Sequence, residues 1–221
     1  GAAPGGPVCR APGLLSEVNE VESLYRGIAL SIAGTDSGGG AGIQADLKTF
    51  AALRVFGMNV ITAITAQNSL MVSDIENLSP RIITAQMDAV FSDFTVNAAK
   101  TGMLSREETI RCVCDGVRRH NVTKLVVDPV MIAQSGASLI DANAVEALRE
   151  ELLPLALLVT PNVPEAERLS GQTIANIDEM ASAARIIAGF GPKAAPTRGP
   201  RFTSAYPLER LEQIPYCSIL F

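Results

Sequence analysis

No apolar run in this sequence approaches the length of a membrane-spanning helix; Leu155 to Val159 is short and reads as a strand. Positive charge is not in excess either. With a formal net charge of −5, nothing in the electrostatics points to nucleic acid. Histidine occurs once, as His120, so the four cysteines (Cys9, Cys112, Cys114 and Cys217) lack the companions a zinc site needs. Cys112 and Cys114 stand two residues apart in a helical pattern and face different sides, which reads as free thiols in a reducing compartment. Residues 1–26 lack the apolar segment of a secretory signal, and the run from Ser16 to Glu22 is too acidic for an intact transit peptide. The expectation is a mobile N-terminal arm on a cytoplasmic protein. The chain begins with Gly1 rather than Met, which leaves organellar targeting open.

Two nucleotide-binding fingerprints are missing as well. A Walker A loop requires a Lys after its last glycine, and none follows Gly39 or Gly40. A dinucleotide loop requires G-x-G-x-x-G, but Gly38-Gly39-Gly40 leads into Ala41-Gly42-Ile43 and the third glycine is absent.

What is present is an alternation of strands and helices. The chain is 48% hydrophobic and 19% charged over 221 residues, suited to one α/β domain with a substantial core. Apolar runs predict strands at Ile28–Ala33, Val60–Ala66, Ala98–Thr101, Lys124–Val127 and Leu155–Thr160. Helical spacing predicts helices at Gly42–Phe56, from Ser79-Pro80 onward, from a Ser105/Glu108 capping box to about His120, and at Asp141–Leu152, Pro164–Leu169 and Asp178–Ala188. His120, behind Arg118 and Arg119 at a helix C-terminus, reads as a structural cation. The fold class expected is α/β, a mostly parallel sheet covered on both faces.

The densest chemistry lies in Gly34–Phe50, with four glycines in the five residues from Gly38 to Gly42. Strand, glycine turn and helix invite a ligand: glycine lets a ligand approach the backbone, and the first helical N–H groups have no internal partner. Asp46, one turn into the helix, is placed to reach that loop. In open α/β sheets ligands bind beyond the carboxyl ends of the strands. The glycine loop, Gln67-Asn68, Gly102-Met103, Asp128-Pro129-Val130 and Asn162 all follow predicted strands, so five strand ends point to one edge. Asp128 presents a carboxylate there, suited to Mg²⁺ or a phosphate network.

The run A-G-T-D-S-G-G-G-A-G-I-Q-A-D-L-K-T-F, with T-A-Q-N (Thr65–Asn68), K-T-G-M-L (Lys100–Leu104), V-V-D-P-V-M (Val126–Met131) and T-P-N-V-P-E (Thr160–Glu165), closely resembles the hydroxymethylpyrimidine/phosphomethylpyrimidine kinases of thiamine biosynthesis. The resemblance runs from about Gly27 to about Lys193. It implies a three-layer ribokinase-like fold, ATP and Mg²⁺ as cofactors, a small pyrimidine as acceptor, and the homodimer that relatives form. It also implies that Ala41, Asp46, Gln67, Met103 and Val130 bind the pyrimidine, and that Asp128, Asn162 and Glu165 organise nucleotide and metal, with Asp128 and Glu165 nearest the ion. Plainer roles stand beside these: a solvated helix charge for Asp46, a loop hydrogen bond for Gln67, core packing for Met103 and Val130, and the helix dipole for Glu165. A vitamin B6 kinase is the alternative within the superfamily, against which the G-A-G-I-Q-A-D-L-K and T-A-Q-N runs count. Some relatives are fused to a thiamine phosphate synthase, and nothing in this chain encodes that partner.

The same resemblance exposes a gap. The family's G-T-G-C turn, which supplies the anion hole and the catalytic residue, has no counterpart among the 221 residues. After Lys193 the chain turns proline-rich, with Pro196, Pro200, Pro207 and Pro215. Residues 194–221 are therefore expected to form a divergent tail on an incomplete kinase domain, residues 27–193. The expected behaviour is a kinase by descent without turnover; the alternative is a non-catalytic pyrimidine binder or a defective truncated product.

Overall fold

A computed structural model of the chain describes residues 24–132 and 139–197. The expected N-terminal arm, apart from residues 24–26, and the tail beyond residue 197 lie outside the described residues, as do Cys9 and Cys217. Among the described residues, seven strands and six α-helices follow in order. They are β1 (Ile28–Ala33), α1 (Gly42–Ala52), β2 (Phe56–Ile61), β3 (Ala63–Gln67), β4 (Val72–Asn77), α2 (Pro80–Phe91), β5 (Ala98–Thr101), α3 (Glu107–Arg119), β6 (Leu125–Val127), α4 (Ala142–Ala147), β7 (Leu158–Val159), α5 (Val163–Ser170) and α6 (Ile177–Gly189).

Five strands make one parallel sheet in the order β2-β1-β5-β6-β7. Parallel strands covered on both faces read as continuous apolar runs, and β1 (Ile-Ala-Leu-Ser-Ile-Ala) is one. Leu30 and Ile32 bury one face against Ile83 and Met87 of α2 and Ile110 and Val113 of α3. Ser31, between them, faces α1 on the other side. Helices therefore cover both faces, and the three-layer expectation is met.

Several boundaries differ from the sequence reading. The segment read as one strand, Val60–Ala66, is the end of β2 and the start of β3, separated at Thr62. There the backbone leaves the sheet, held by Thr62 N–H on Ala33 O and the Thr62 hydroxyl on Met103 O. β3 then pairs antiparallel with β4, a strand that its polar sequence, Val-Ser-Asp-Ile-Glu-Asn, concealed. Helix α1 stops at Ala52 rather than Phe56 because Arg54 adopts φ +58° and Phe56 opens β2. The Ser105/Glu108 box does not form. Arg106 occupies the N-cap of α3, and the Ser105 hydroxyl bonds Asn77 Oδ1 on β4. Ser79 likewise precedes α2 without a side-chain cap bond. Past α4 the helical backbone continues as a π turn, Leu148–Leu152, and a 3₁₀ turn, Leu153–Leu155, which shortens β7.

The proline-rich segment also joins the fold further than its composition suggested. Ala194 pairs in parallel with Leu158, its N–H on Leu157 O and its carbonyl accepting from Val159, and Ala195 is fully buried. Ala194 stands two residues before Pro196, and its N–H and carbonyl are enough to extend the sheet edge by one bridge.

Candidate functional site

The carboxyl ends of β1, β5, β6 and β7 lie along one edge, as parallel pairing requires. They deliver Gly34, Gly102, Asp128 and, past Thr160-Pro161, Asn162. Gln67 arrives differently, at the end of β3 in the separate hairpin rather than on a sheet strand. The hairpin is stitched to the glycine loop: Thr35 N–H donates to Ala63 O (2.9 Å), Thr65 N–H to Thr35 Oγ1 (3.0 Å), and the Thr65 hydroxyl to Thr35 O (2.7 Å). At Ser37 the hydroxyl donates to Gln67 O (2.7 Å) and accepts from Gln67 N–H (2.8 Å).

The loop itself departs from expectation. Its N–H groups do not await a ligand, because the buried Asp36 carboxylate accepts from Gly38 (2.8 Å), Gly40 (2.9 Å) and Ala41 (2.8 Å). An internal anion already occupies the cradle that a helix N-terminus would offer a phosphate. Gln44 Oε1 accepts the Asp36 N–H and fixes the turn. Gly42 is required: at φ +57°, a Cβ there would lie 2.5 Å from Gly34 O.

Asp46 faces the sheet rather than the loop. Both carboxylate oxygens accept from Lys100 Nζ at 3.0 Å, and Oδ2 also accepts from the Ser31 hydroxyl at 2.6 Å. Lys100 stands 3.7 Å from Asp128 as well, so one ammonium joins two residues assigned to opposite halves of the site. Gly102 makes room, since a Cβ there would lie 3.3 Å from Nζ. Sequence reasoning passed over Lys100 and Ser31; the available signal was a hydroxyl inside an otherwise apolar buried strand.

Met103 and Val130 come together with Ala63, Leu139 and Ile75 in a small apolar cluster separate from the main core. Met103 packs on Gly34, where a Cβ would lie 2.4 Å from its methyl. Ala41 is exposed at the N-cap of α1. The Gln67 side chain makes no hydrogen bond within the described residues, whereas Asn68 Oδ1 is engaged by the N–H groups of Leu70 and Met71.

Asn162 and Glu165 engage each other. Glu165 N–H donates to Asn162 Oδ1 (3.0 Å) and Asn162 N–H to Glu165 Oε2 (2.8 Å), a capping box opening α5. Among the described residues, no group of three or more acidic, Cys or His side chains could hold a metal ion.

His120 and the two described cysteines sit in structural surroundings. His120 Nε2 lies 2.8 Å from Asp88 Oδ1, and its ring stacks on Phe91. Burial pushes the Cys114 thiol up to about 12, and Cys112 is half-buried; both are free. A cleft of about 680 Å³ between α2, α3 and the start of α4 contains Arg106 and Arg111. Arg111 is held above its ordinary range by its hydrogen bond to Glu151 and by Glu107, and Arg106 pairs with Glu108. Exposed, matched pairs of this kind contribute little.

An open parallel sheet with a glycine turn and converging polar groups at its carboxyl edge defines an α/β protein with a strand-end site, and the ribokinase-like class follows from its solved neighbours. The solved structure of phosphomethylpyrimidine kinase from Clostridium difficile aligns with TM-score 0.75 at 46% identity, covering 81% of this chain and 78% of that one. Staphylococcus aureus pyridoxal kinase in complex with pyridoxal aligns with TM-score 0.72 at 37% identity, covering 79% and 64%. The hydroxymethylpyrimidine/phosphomethylpyrimidine kinase of Rhizobium meliloti is 58% identical over 173 residues, which cover 78% of this chain and 65% of that protein.

The chain belongs to the phosphomethylpyrimidine kinase family, whose model matches residues 36–207 and so runs past Lys193. It spans less than two thirds of the length of the curated relatives it matches. Among the described residues no helix is long and apolar enough to cross a membrane.

Proposed function

We propose that this chain carries the acceptor-binding side of an ATP- and Mg²⁺-dependent kinase of 4-amino-5-hydroxymethyl-2-methylpyrimidine and its monophosphate. The observation that carries the reading is the Gln67 amide: it makes no hydrogen bond within the described residues and belongs to the hairpin that bears Ala63 and Ile75 of the Met103/Val130 cluster. An aminopyrimidine needs an apolar surface for its ring and an amide for its N–H and ring nitrogen. Asp46 serves this acceptor from behind, through Lys100, and Ala41 borders it.

ATP supplies the phosphoryl group, and Mg²⁺ neutralises charge on it. Mg²⁺ is commonly held by one or two carboxylates plus the nucleotide's phosphates, which Asp128 fits as a single strand-end carboxylate. Glu165 and Asn162 fit less directly, because the cap already engages both, and they would help by ordering the turn that opens α5. The anion hole that stabilises the transferred group elsewhere in the family has no G-T-G-C counterpart here. Each missing donor typically costs about 100-fold to 1000-fold in rate. The expected behaviour of the 221-residue chain is binding without turnover.

Vitamin B6 remains a second acceptor class because pyridoxal kinases share the fold at 37% identity. A coupled ATPase assay beside thermal-shift binding, with the aminopyrimidine and pyridoxal in parallel, separates the cases. A pyrimidine shift without turnover is expected. Pyrimidine-dependent turnover overturns the inactive reading, and a shift with pyridoxal alone overturns the acceptor assignment.

A further inference from the structure

We propose that Ser37 is a positioning residue for Gln67 and thereby sets the site's preference for a ring bearing an exocyclic amine. The inference rests on the acceptor reading above. Ser37 and Gln67 are 30 residues apart, and one hydroxyl both donates to the Gln67 carbonyl and accepts its N–H. It replaces two backbone ladder bonds at the point where the hairpin's own ladder gives way. The β3–β4 register shifts between Ala66 and Gln67, leaving Gln67 opposite Val72 and Ser73 unpaired. The extra residue is tied off locally by its hydroxyl on Ala66 O. A bulge re-aims the side chain beside it, so the direction of the Gln67 amide depends on what holds the Gln67 backbone.

Ser37 itself is held from behind. Asp36, locked by Gly38, Gly40, Ala41 and Gln44, leaves its neighbour little freedom. The chain of restraint runs from a buried carboxylate, through an exposed hydroxyl, to an amide that makes no hydrogen bond among the described residues. Core packing does not account for the reciprocal pair, since Ser37 is exposed.

Two measurements on wild type, S37A, S37T, Q67A and the S37A/Q67A double variant test this. The first is amide hydrogen exchange without ligand. In S37A the Gln67 N–H should exchange about five-fold to ten-fold faster, the worth of one lost hydrogen bond, while Thr65, held by Thr35, keeps its rate. The second is calorimetric affinity for the aminopyrimidine and for the same ring without its amine. S37A should reduce the preference for the amine about five-fold, S37T should restore it, and S37A combined with Q67A should lose no more than Q67A alone. Unchanged Gln67 exchange in S37A overturns the proposal whatever the ligands do. Equal weakening toward both rings also overturns it, since that is the signature of general loosening. A folded wild type that binds neither ring refutes the acceptor reading instead, a failure distinct from an unchanged exchange rate.

Discussion

Around β1, polar groups are satisfied by distant partners: Lys100 reaches Asp46 across 54 residues, Ser31 across 15, and Ser37 reaches Gln67 across 30. Around α5 they are satisfied within one turn, Asn162 and Glu165 bonding each other three residues apart. The first region is a tertiary construction that exists only when sheet, loop and hairpin are assembled. The second is a local motif that a short helix could form alone. A site of the first kind couples fold and binding, so damage to one of its residues spreads to the others. A site of the second kind tolerates damage.

The largest expected break is Gly42→Val, which forces a β-branched residue to φ +57° with its Cβ against Gly34 O. A loss of about 3 kcal/mol or more in urea unfolding is expected; a loss below about 1 kcal/mol would mean the loop is not the keystone described. Lys100→Met comes next, because it strands Asp46 beside Asp128 in a largely covered position, with side chains 14% and 17% exposed for Lys100 and Asp46. Breaking such a pair costs about 2–4 kcal/mol, and adding Asp46→Leu should recover part of it. Failure of the double variant to recover would show that Lys100 acts mainly through Asp128.

Glu165→Ala should cost about 1 kcal/mol, the ordinary worth of a cap. Glu165→Gln, which keeps an acceptor for Asn162 N–H, should cost less. A loss of Mg²⁺–ATP affinity in Glu165→Gln at intact stability would give the carboxylate a role beyond the cap and narrow the contrast between the two regions.

The smallest effect concerns Cys114. Burial holds its thiol neutral up to about 12, against 9.0 for an ordinary thiol. Between those values the unfolded chain has released a proton that the folded chain retains, so stability is intact below pH 9 and falls as pH rises toward 12. Native Cys114 should also resist alkylation at pH 8 until the protein unfolds. Rapid modification of the folded chain would contradict its placement in the core.

The same contrast decided what the sequence could reveal. Near-continuous apolar runs announced β1 and β6, because strands covered on both faces have little reason to alternate. The polar strand β4 gave no such signal, being defined by its pairing with β3. Two N-terminal patterns of one shape, Ser105/Glu108 and Asn162/Glu165, had opposite fates. The second closes a capping box, while the first loses its hydroxyl to Asn77, a partner 28 residues away that no local pattern contains. The Asp46 carboxylate was legible in the sequence but its direction was not, since its partner Lys100 lies on another strand. Asp36 was legible only as a flank of the glycines, although it is the anion that shapes them.

The central proposal is an acceptor site in which Gln67 supplies the amide and the Met103/Val130 cluster the apolar surface. Isothermal titration of 4-amino-5-hydroxymethyl-2-methylpyrimidine into the folded chain and its Gln67→Ala variant tests it most directly. The account predicts one-to-one binding by wild type, weakened about ten-fold or more in the variant. Equal affinity in both, or no binding by a folded wild type, would contradict it.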